Sequence, residues 1–387
     1  MRPEHADAFA SATAAYIHIP FCSAVCPYCD FAVVAGQDHL ARRYIDAVIA
    51  EIAASTPWRP LNSVYFGGGT PSQVHPGLLG EVLEALSRRH GLAPGAEVTL
   101  EANPEDFGRD RAAAIVRLGF NRVSFGAQSF DDSVLASLGR RHGPAEITGA
   151  VRAARDAGFE SISVDLIYGT PGENDSSWAS TLGRAVSLEP DHVSCYALTV
   201  EAGTPLGRDV KRGAPSPDPD VQADRHTTAD SVLGAAGLQR YEVSNWARPG
   251  HECDYNMTVW AQGEYLAFGN GAHGFRDGVR FRNHRRLEAY IDRVESGRSP
   301  RAGQEPVQDW DAELDRVLVG LRRTAGVAQG PATRALLESY EGRQLIRAGV
   351  ISADAERLYV SRPLLTDAVL RSVLSQPAPI VMVDGNA

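Results

Sequence analysis

Six short, β-prone apolar runs separated by amphipathic stretches organise the first two hundred residues, and this alternation limits the possible folds more than any other feature. The runs are Tyr16–Ile19, Val64–Phe66, Val98–Ala102, Arg122–Phe125, Ser161–Ile167 and His192–Leu198. Between them, Leu40–Ala54, Gly77–Arg89, Arg109–Leu118, Ala145–Ala157 and Ser177–Leu188 carry apolar residues at helical spacing. Alternating strands and helices build βαβ units, whose strands run parallel. Six units fall short of the eight that close a full barrel. The class is therefore α/β, as either an open doubly wound sheet or a partial barrel, and periodicity alone does not separate the two. Polar and glycine positions cluster just after the strands, where parallel α/β folds place their sites.

The pattern breaks at Arg212–Asp220, a Pro- and Asp-rich loop. Val221 to about Arg298 is aromatic and glycine-rich. Helical patterns return at Ala312–Arg323, Ala332–Tyr340 and Gly342–Ala348, followed by a β-like Leu358–Val360 and a last helix near Thr366–Leu374. This helix-rich tail reads as a small separate domain, and Gln376–Ala387 is expected to fray. With 387 residues, 43% of them hydrophobic, the chain can bury one large core and a smaller one. A net charge of −10 without a dense basic stripe argues against nonspecific nucleic-acid binding. No apolar run approaches membrane-spanning length, and Met1–Ala12 lacks the apolar segment of a signal peptide. Lys211 is the only lysine, a compositional bias without functional meaning.

The chemistry begins directly after the first strand, where Cys22, Cys26 and Cys29 stand in C-x3-C-x2-C spacing. Soft thiolates suit iron–sulfur clusters, which ordinarily take four cysteines. Three leave one iron open to another ligand. The competing reading is structural zinc, which wants four ligands, commonly as two closely spaced pairs. No second pair exists here, because Cys195 and Cys253 stand alone. Cys195, inside a strand pattern, reads as an inert core residue. Five cysteines, three of them in one loop, fit a reducing cytoplasm rather than a disulfide framework.

Gly67-Gly68-Gly69-Thr70-Pro71 follows the second strand. Its glycines serve either a tight turn or close approach of a ligand to the backbone. It lacks both the phosphate-loop lysine and the dinucleotide G-x-G-x-x-G spacing. Glu101 and Asn103 follow the third strand, Gln128 and Ser129 the fourth, and Asp165 interrupts the apolar fifth. A buried carboxylate costs free energy unless it is paired or faces a site. Singly, each of these reads as a satisfied structural group. At one edge of successive βα units they form a candidate ligand pocket. Arg140 is either a counter-charge to a carboxylate there or a solvated surface arginine.

The cysteine loop resembles the cluster-binding motif of radical S-adenosylmethionine (SAM) proteins. Tyr-x-His-Ile-Pro-Phe-Cys, Gly-Gly-Gly-Thr-Pro, Glu-Ala-Asn-Pro, Gln-Ser-Phe, Leu-Gly-Arg-x-His and Asp-Leu-Ile-Tyr-Gly-x-Pro-Gly follow in order. They are similar to the oxygen-independent coproporphyrinogen III oxidase-like group over nearly the whole chain. The resemblance implies a partial (β/α)6 barrel with a small C-terminal helical domain. Its divisions are a tail over 1–14, a core over 15–210, a family-specific extension over 211–300, a helical domain over 301–375 and a tail over 376–387. It implies a [4Fe-4S] cluster on Cys22, Cys26 and Cys29, with SAM chelating the open iron. Tyr16 and Tyr28 would lie against SAM, Gly68, Gly69 and Thr70 would contact its methionyl part, and Glu101, Gln128, Arg140 and Asp165 would line the rest.

Within the group, the oxidases carry a fourth cysteine two positions after the third, where this chain has Phe31. Cys29-Asp30-Phe31, Tyr241–Trp246 and Gly269–His273 resemble instead the HemW-type haem chaperones. That branch implies haem as cargo, haem-accepting partner proteins, an electron donor for the cluster and a cytoplasmic setting, with no residue assigned as catalytic. The alternative is a coproporphyrinogen III oxidase or another radical SAM oxidoreductase. One departure stands out: the branch's His-Asn-x-x-Tyr-Trp is replaced by Tyr255-Asn256-Met257-Thr258-Val259-Trp260. His251, Cys253, Tyr255 and His273 are then the candidate haem ligands by chemistry.

Overall fold

A computed structural model describes residues 7–378. All six expected strands form: β1 (Thr13–Ile19), β2 (Leu61–Gly68), β3 (Leu92–Ala102), β4 (Arg122–Gln128), β5 (Ser161–Tyr168) and β6 (His192–Ala197). The intervening helices are α1 (Ala41–Ala54), α2 (Pro76–His90), α3 (Arg109–Arg117), α4 (Pro144–Ala157) and α5 (Asp175–Ser187). Pro144 opens α4, where a missing N–H costs nothing, and Gly158 ends it at φ +94°, a left-handed conformation that glycine adopts without strain.

The six strands are parallel neighbours in sequence order, from β1 to β6. A doubly wound sheet reverses its strand order at a switch point. This one never does, so the architecture is the partial barrel. It does not close. Strand β7 (Asn245–Ala247) pairs with the outer side of β6 in antiparallel register, and the two-residue strand Gln239–Arg240 pairs antiparallel with β7 at the sheet's edge. Strand β8 (Glu264–Phe268) pairs parallel with β1 and continues into an antiparallel ribbon of β9 (His273–Arg276), β10 (Val279–Asn283) and β11 (Arg301–Pro306). The whole is one twelve-stranded sheet.

Period-two alternation sorts the two faces. On β1, Ala15, Ile17 and Ile19 join the main core with Ile45, Val48 and Ile52 of α1, while Tyr16 and His18 face the barrel interior. A second core of Val317, Leu321, Leu336, Leu358, Val369 and Val373 holds the C-terminal helices. That unit also contains a three-stranded antiparallel sheet. Of its strands only Arg357–Val360 left a sequence signal; Val327–Ala328 and Ile351–Ala353 are too short to show a period.

The longest of the helices that the sequence pattern does not show, α6 (Pro219–Ala235), spans the end of the Pro- and Asp-rich loop and the start of the aromatic, glycine-rich stretch. Asp218 caps it by accepting the N–H groups of Asp220 (2.8 Å) and Val221 (3.3 Å). It buries Arg225 and His226 beside Ala229 and Leu233, so it presents no apolar stripe to detect. Most of the expected C-terminal tail lies outside the described residues. Among those described, no helix is long and apolar enough to cross a membrane.

Candidate functional site

The cysteine loop leaves β1 at Pro20 and is fastened at both ends. At its start, the N–H groups of Gly69 and Thr70 donate to the carbonyls of Ile19 (2.8 Å) and Phe21 (2.7 Å). A Cβ on Gly69 would fall 2.8 Å from the Pro20 carbonyl carbon, and Gly68 sits at φ +113° against the His18 ring. The glycine run is therefore required by backbone packing before any ligand is considered. At the loop's far end, His18 Nε2 lies 3.0 Å from the Ala32 carbonyl, which also accepts from Asn270 Nδ2 at 3.2 Å. Burial lowers the His18 pKa to about 4, so the ring is neutral and Nε2–H donates.

Asn270 is itself held from behind. Its N–H donates to Tyr44 Oη (3.2 Å), whose hydroxyl donates to the His18 carbonyl (2.6 Å). Glu51 of α1 accepts from Gly269 N (2.9 Å), Asn283 Nδ2 (2.7 Å) and Tyr290 Oη (2.6 Å). Burial pushes its carboxyl up to about 7 despite these donors.

Between the two fastenings, the three half-buried cysteines edge a cavity of about 430 Å³ that runs into the barrel. All five cysteines of the chain are free thiols. Thr70 Oγ1 donates to Cys22 Sγ at 3.6 Å, and Arg140 Nη1 to Cys26 Sγ at 3.7 Å. Desolvation raises the Cys22 thiol to about 11 and lifts Cys29 as well. Cys22 and Cys29 are thus protonated at neutral pH, and a metal must displace their protons to bind. Among the described residues, no three His, Cys, Asp or Glu side chains converge on one ion-sized point. As they stand, the thiols do not form a single-ion chelate.

Two carboxylates face the interior. Glu101 accepts from Tyr65 Oη (2.8 Å) and Gly68 N (2.9 Å), and burial pushes it up to about 7, helped by the charge of Asp165. Asp165 sits in a serine cradle, with Ser124 and Ser194 donating at 2.8 and 2.7 Å and Ser163 at 3.1 Å. Burial raises it too, against those donors and the more distant Arg122. Arg140 does not pair with either acid. Its Nη2 donates to Asn103 Oδ1 (2.6 Å) and the Gly126 carbonyl (2.9 Å), so its charge faces the cysteine sulfur rather than a carboxylate.

Eleven of the twelve residues expected at the site line this cavity: Cys22, Cys26, Tyr28, Cys29, Gly68, Gly69, Thr70, Glu101, Gln128, Arg140 and Asp165. Tyr16 does not. Alternation on β1 points it beside His18 (Oη to Nδ1 3.2 Å), where its ring stacks on Tyr65 at 6.2 Å. Tyr65 occupies the cavity wall in its place. Sequence reasoning missed Tyr65, Arg122, Ser124, His192 and Ser194, which also line the wall. The signal was present as a period of two: Arg122-x-Ser124-x-Gly126-x-Gln128, Ser163-x-Asp165 and His192-x-Ser194-x-Tyr196 put polar residues on one face of strands otherwise read as apolar. Cys195, between them, is buried in the core.

The four candidate haem ligands separate. Cys253 lines the cavity, with its thiol on Glu97 Oε1 at 3.6 Å. Tyr255 lies among the rings of Tyr16, Tyr65 and Tyr265. His251 lends its carbonyl to Arg122 at 3.0 Å. His273 is exposed on β9. Phe31 stands at the cavity mouth with 64% of its surface exposed.

The Radical SAM superfamily profile matches residues 16–185. Heme chaperone HemW of Mycobacterium tuberculosis is 38% identical over 371 residues, covering 93% of this chain and 94% of that protein. Its Synechocystis counterpart is 39% identical over 326 residues, covering 81% and 79%. Radical S-adenosyl methionine domain-containing protein 1, mitochondrial, of Bos taurus is 40% identical over 265 residues, covering 67% and 60%. Among solved structures, coproporphyrinogen III oxidase (HemN) from Escherichia coli, described as a radical SAM enzyme, superposes with a TM-score of 0.80 at 23% identity. It covers 95% of this chain and 92% of its own, a likeness of fold.

Proposed function

We propose that this chain, which belongs to the HemW family of the radical SAM superfamily, binds a [4Fe-4S] cluster and SAM and serves as a haem chaperone. The observation that carries the reading is the gathering of three thiols at the mouth of a cavity whose two interior carboxylates have only neutral hydrogen-bond partners. The donor set fits a cluster: three soft sulfurs and no fourth cysteine in the loop. The acids fit SAM, because its sulfonium and ammonium supply a positive charge that no hydrogen-bond partner of Glu101 or Asp165 carries. When bound, the cluster supplies an open iron and one-electron reducing power.

The chain's own residues do the rest. Cys22, Cys26 and Cys29 hold the iron. Thr70 and Arg140 donate to sulfur and stabilise its negative charge. Gly68 and Gly69 leave room for the methionyl part at the loop, Tyr28 and Gln128 flank the ligand, and Tyr16 supports it from behind Tyr65. In this reading residues 15–210 form the cofactor-binding core, 211–300 the extension and 301–375 the small C-terminal domain. Phe31, where the oxidases have their fourth cysteine, favours cargo handling over porphyrinogen oxidation. The partners are haem, the proteins that accept it and a reductant, met in a reducing cytoplasm.

Anaerobic reconstitution with iron and sulfide tests the cofactor half. It should give a broad visible band and, on reduction, a four-iron EPR signal that SAM perturbs; uptake of zinc alone would refute it. Haem titration and transfer to an apo-haem protein test the cargo half. Rescue of anaerobic haem synthesis in a strain lacking the oxidase would replace it with the enzyme reading.

A further inference from the structure

The departure at Tyr255 removes a histidine from the branch pattern, and the geometry singles out another. Tyr255 is enclosed by three tyrosine rings, and Cys253 is buried with its thiol turned to Glu97. Cys253 thus lies deep in the cavity that SAM would fill, and Tyr255 packs its ring against the other three. His273 begins β9 with its side chain exposed. In the antiparallel register it faces Arg282 of β10, also exposed, so the two side chains project from the same face.

The turn before His273 carries this face to the cysteine loop. A Cβ on Gly271 would lie 2.7 Å from Ala32 Cβ, and Asn270 holds the carbonyls of both Ala32 (3.2 Å) and Arg285 (3.0 Å). The Arg285 guanidinium reaches across to the Asp30 carbonyl, next to exposed Phe31. The charge of Arg285 acts on both Cys29 and His273, so its guanidinium is near each. The result is one exposed surface with an imidazole, two arginines and an aromatic ring.

We infer that His273, with Arg282, Arg285 and Phe31, forms the haem-docking surface of this protein at the rim of the cluster cavity. The inference rests on the chaperone reading above and names the site that reading leaves open. Each part matches one part of the cargo. An imidazole nitrogen is an axial ligand for haem iron. Guanidinium groups pair bidentately with carboxylates such as the two haem propionates. An exposed phenyl ring offers an apolar surface to the porphyrin face. Desolvation and the charges of Arg282 and Arg285 lower the His273 pKa, which keeps the ring in the neutral form that ligates metal.

The test is a titration of the full chain with ferric haem, followed by Soret absorbance, beside iron-free protoporphyrin followed by fluorescence quenching. His273→Ala should move the Soret band and weaken haem binding at least tenfold while leaving protoporphyrin affinity within a factor of two. Arg282→Glu should weaken both ligands several-fold without moving the Soret band. Cys253→Ala and Tyr255→Phe should leave the haem spectrum unchanged. A His273→Ala protein with the wild-type Soret band and affinity overturns the inference, as does loss of the band in Cys253→Ala alone; either leaves the chaperone reading standing. A wild-type protein that takes up no haem overturns both. Because His273 is exposed, an unchanged far-ultraviolet spectrum confirms that the variant is folded.

Discussion

The cysteine loop and the serine cradle of Asp165 sit in the same cavity and are built by opposite means. The loop has little regular structure between Cys22 and Val34, and its order comes from groups outside it: His18 on the strand just before it, and Gly69, Thr70 and Asn270 far away in sequence. Its thiols have weak, long contacts. The cradle lies on three adjacent strands whose register places Ser124 opposite Ser163 and Asp165 opposite Ser194. Every donor there is set by the ladder itself. The difference teaches where each kind of precision is useful. A cluster supplies its own geometry, so its ligands need only be held within reach. A charged pocket for a small ligand must be preformed, because a misplaced carboxylate in a buried site is merely costly.

Breaking the loop should have the largest effect and leave the fold alone. Cys26→Ser should reduce reconstituted iron and the visible band to background with the thermal midpoint unchanged; iron retained at the wild-type level would refute the loop's role. Breaking the cradle should be smaller and more selective. Asp165→Asn keeps the shape but removes the charge, and should weaken SAM binding by roughly tenfold, about 1.4 kcal/mol. Calorimetric titration of the reconstituted protein measures it, and an unchanged affinity would mean that the acid does not serve the ligand.

Two substitutions behind the loop sharpen the contrast. Asn270→Ala removes the donor shared by the Ala32 and Arg285 carbonyls and should cost about 1–2 kcal/mol in chemical denaturation. Partial iron loading should accompany it, since one end of the loop is released. Glu51→Gln should change a pH slope rather than a stability at one pH. The Glu51 carboxyl titrates near 7 in the folded state, above the ordinary carboxylate range. Between those values the folded protein keeps a proton that the unfolded chain has lost, so this contribution is full at low pH and fades as pH rises to about 7. Thermal midpoints of wild type should therefore fall relative to Glu51→Gln from pH 5 to pH 8, and parallel curves would contradict the burial argument.

Much of this was legible in the chain. Six βα units, the three-cysteine loop and the glycine turn are local patterns, and each is set by residues close in sequence. The strand and helix limits follow from period and caps, as at Pro144 and Gly158. The helix over Pro219–Ala235 was not legible, because its buried face carries an arginine and a histidine where periodicity looks for apolar residues. The parallel strand Glu264–Phe268, which joins β1 from 245 residues or more away, leaves no local trace of its partner either.

What the sequence alone determined is the ligand chemistry: which side chains carry sulfur, which carry charge, and that a fourth cysteine is replaced by Phe31. What only the tertiary structure decided is direction. Tyr16 and Tyr65 are register partners on the interior face, and packing against Tyr65 and Tyr255 left Tyr65, not Tyr16, in the cavity wall. The distant turn at Asn270 clamped the cysteine loop, and strand pairing put His273 and Arg282 side by side on one exposed face. Residue type is a local property, but the side a residue faces depends on strand register, and register is fixed by contacts that span the whole chain.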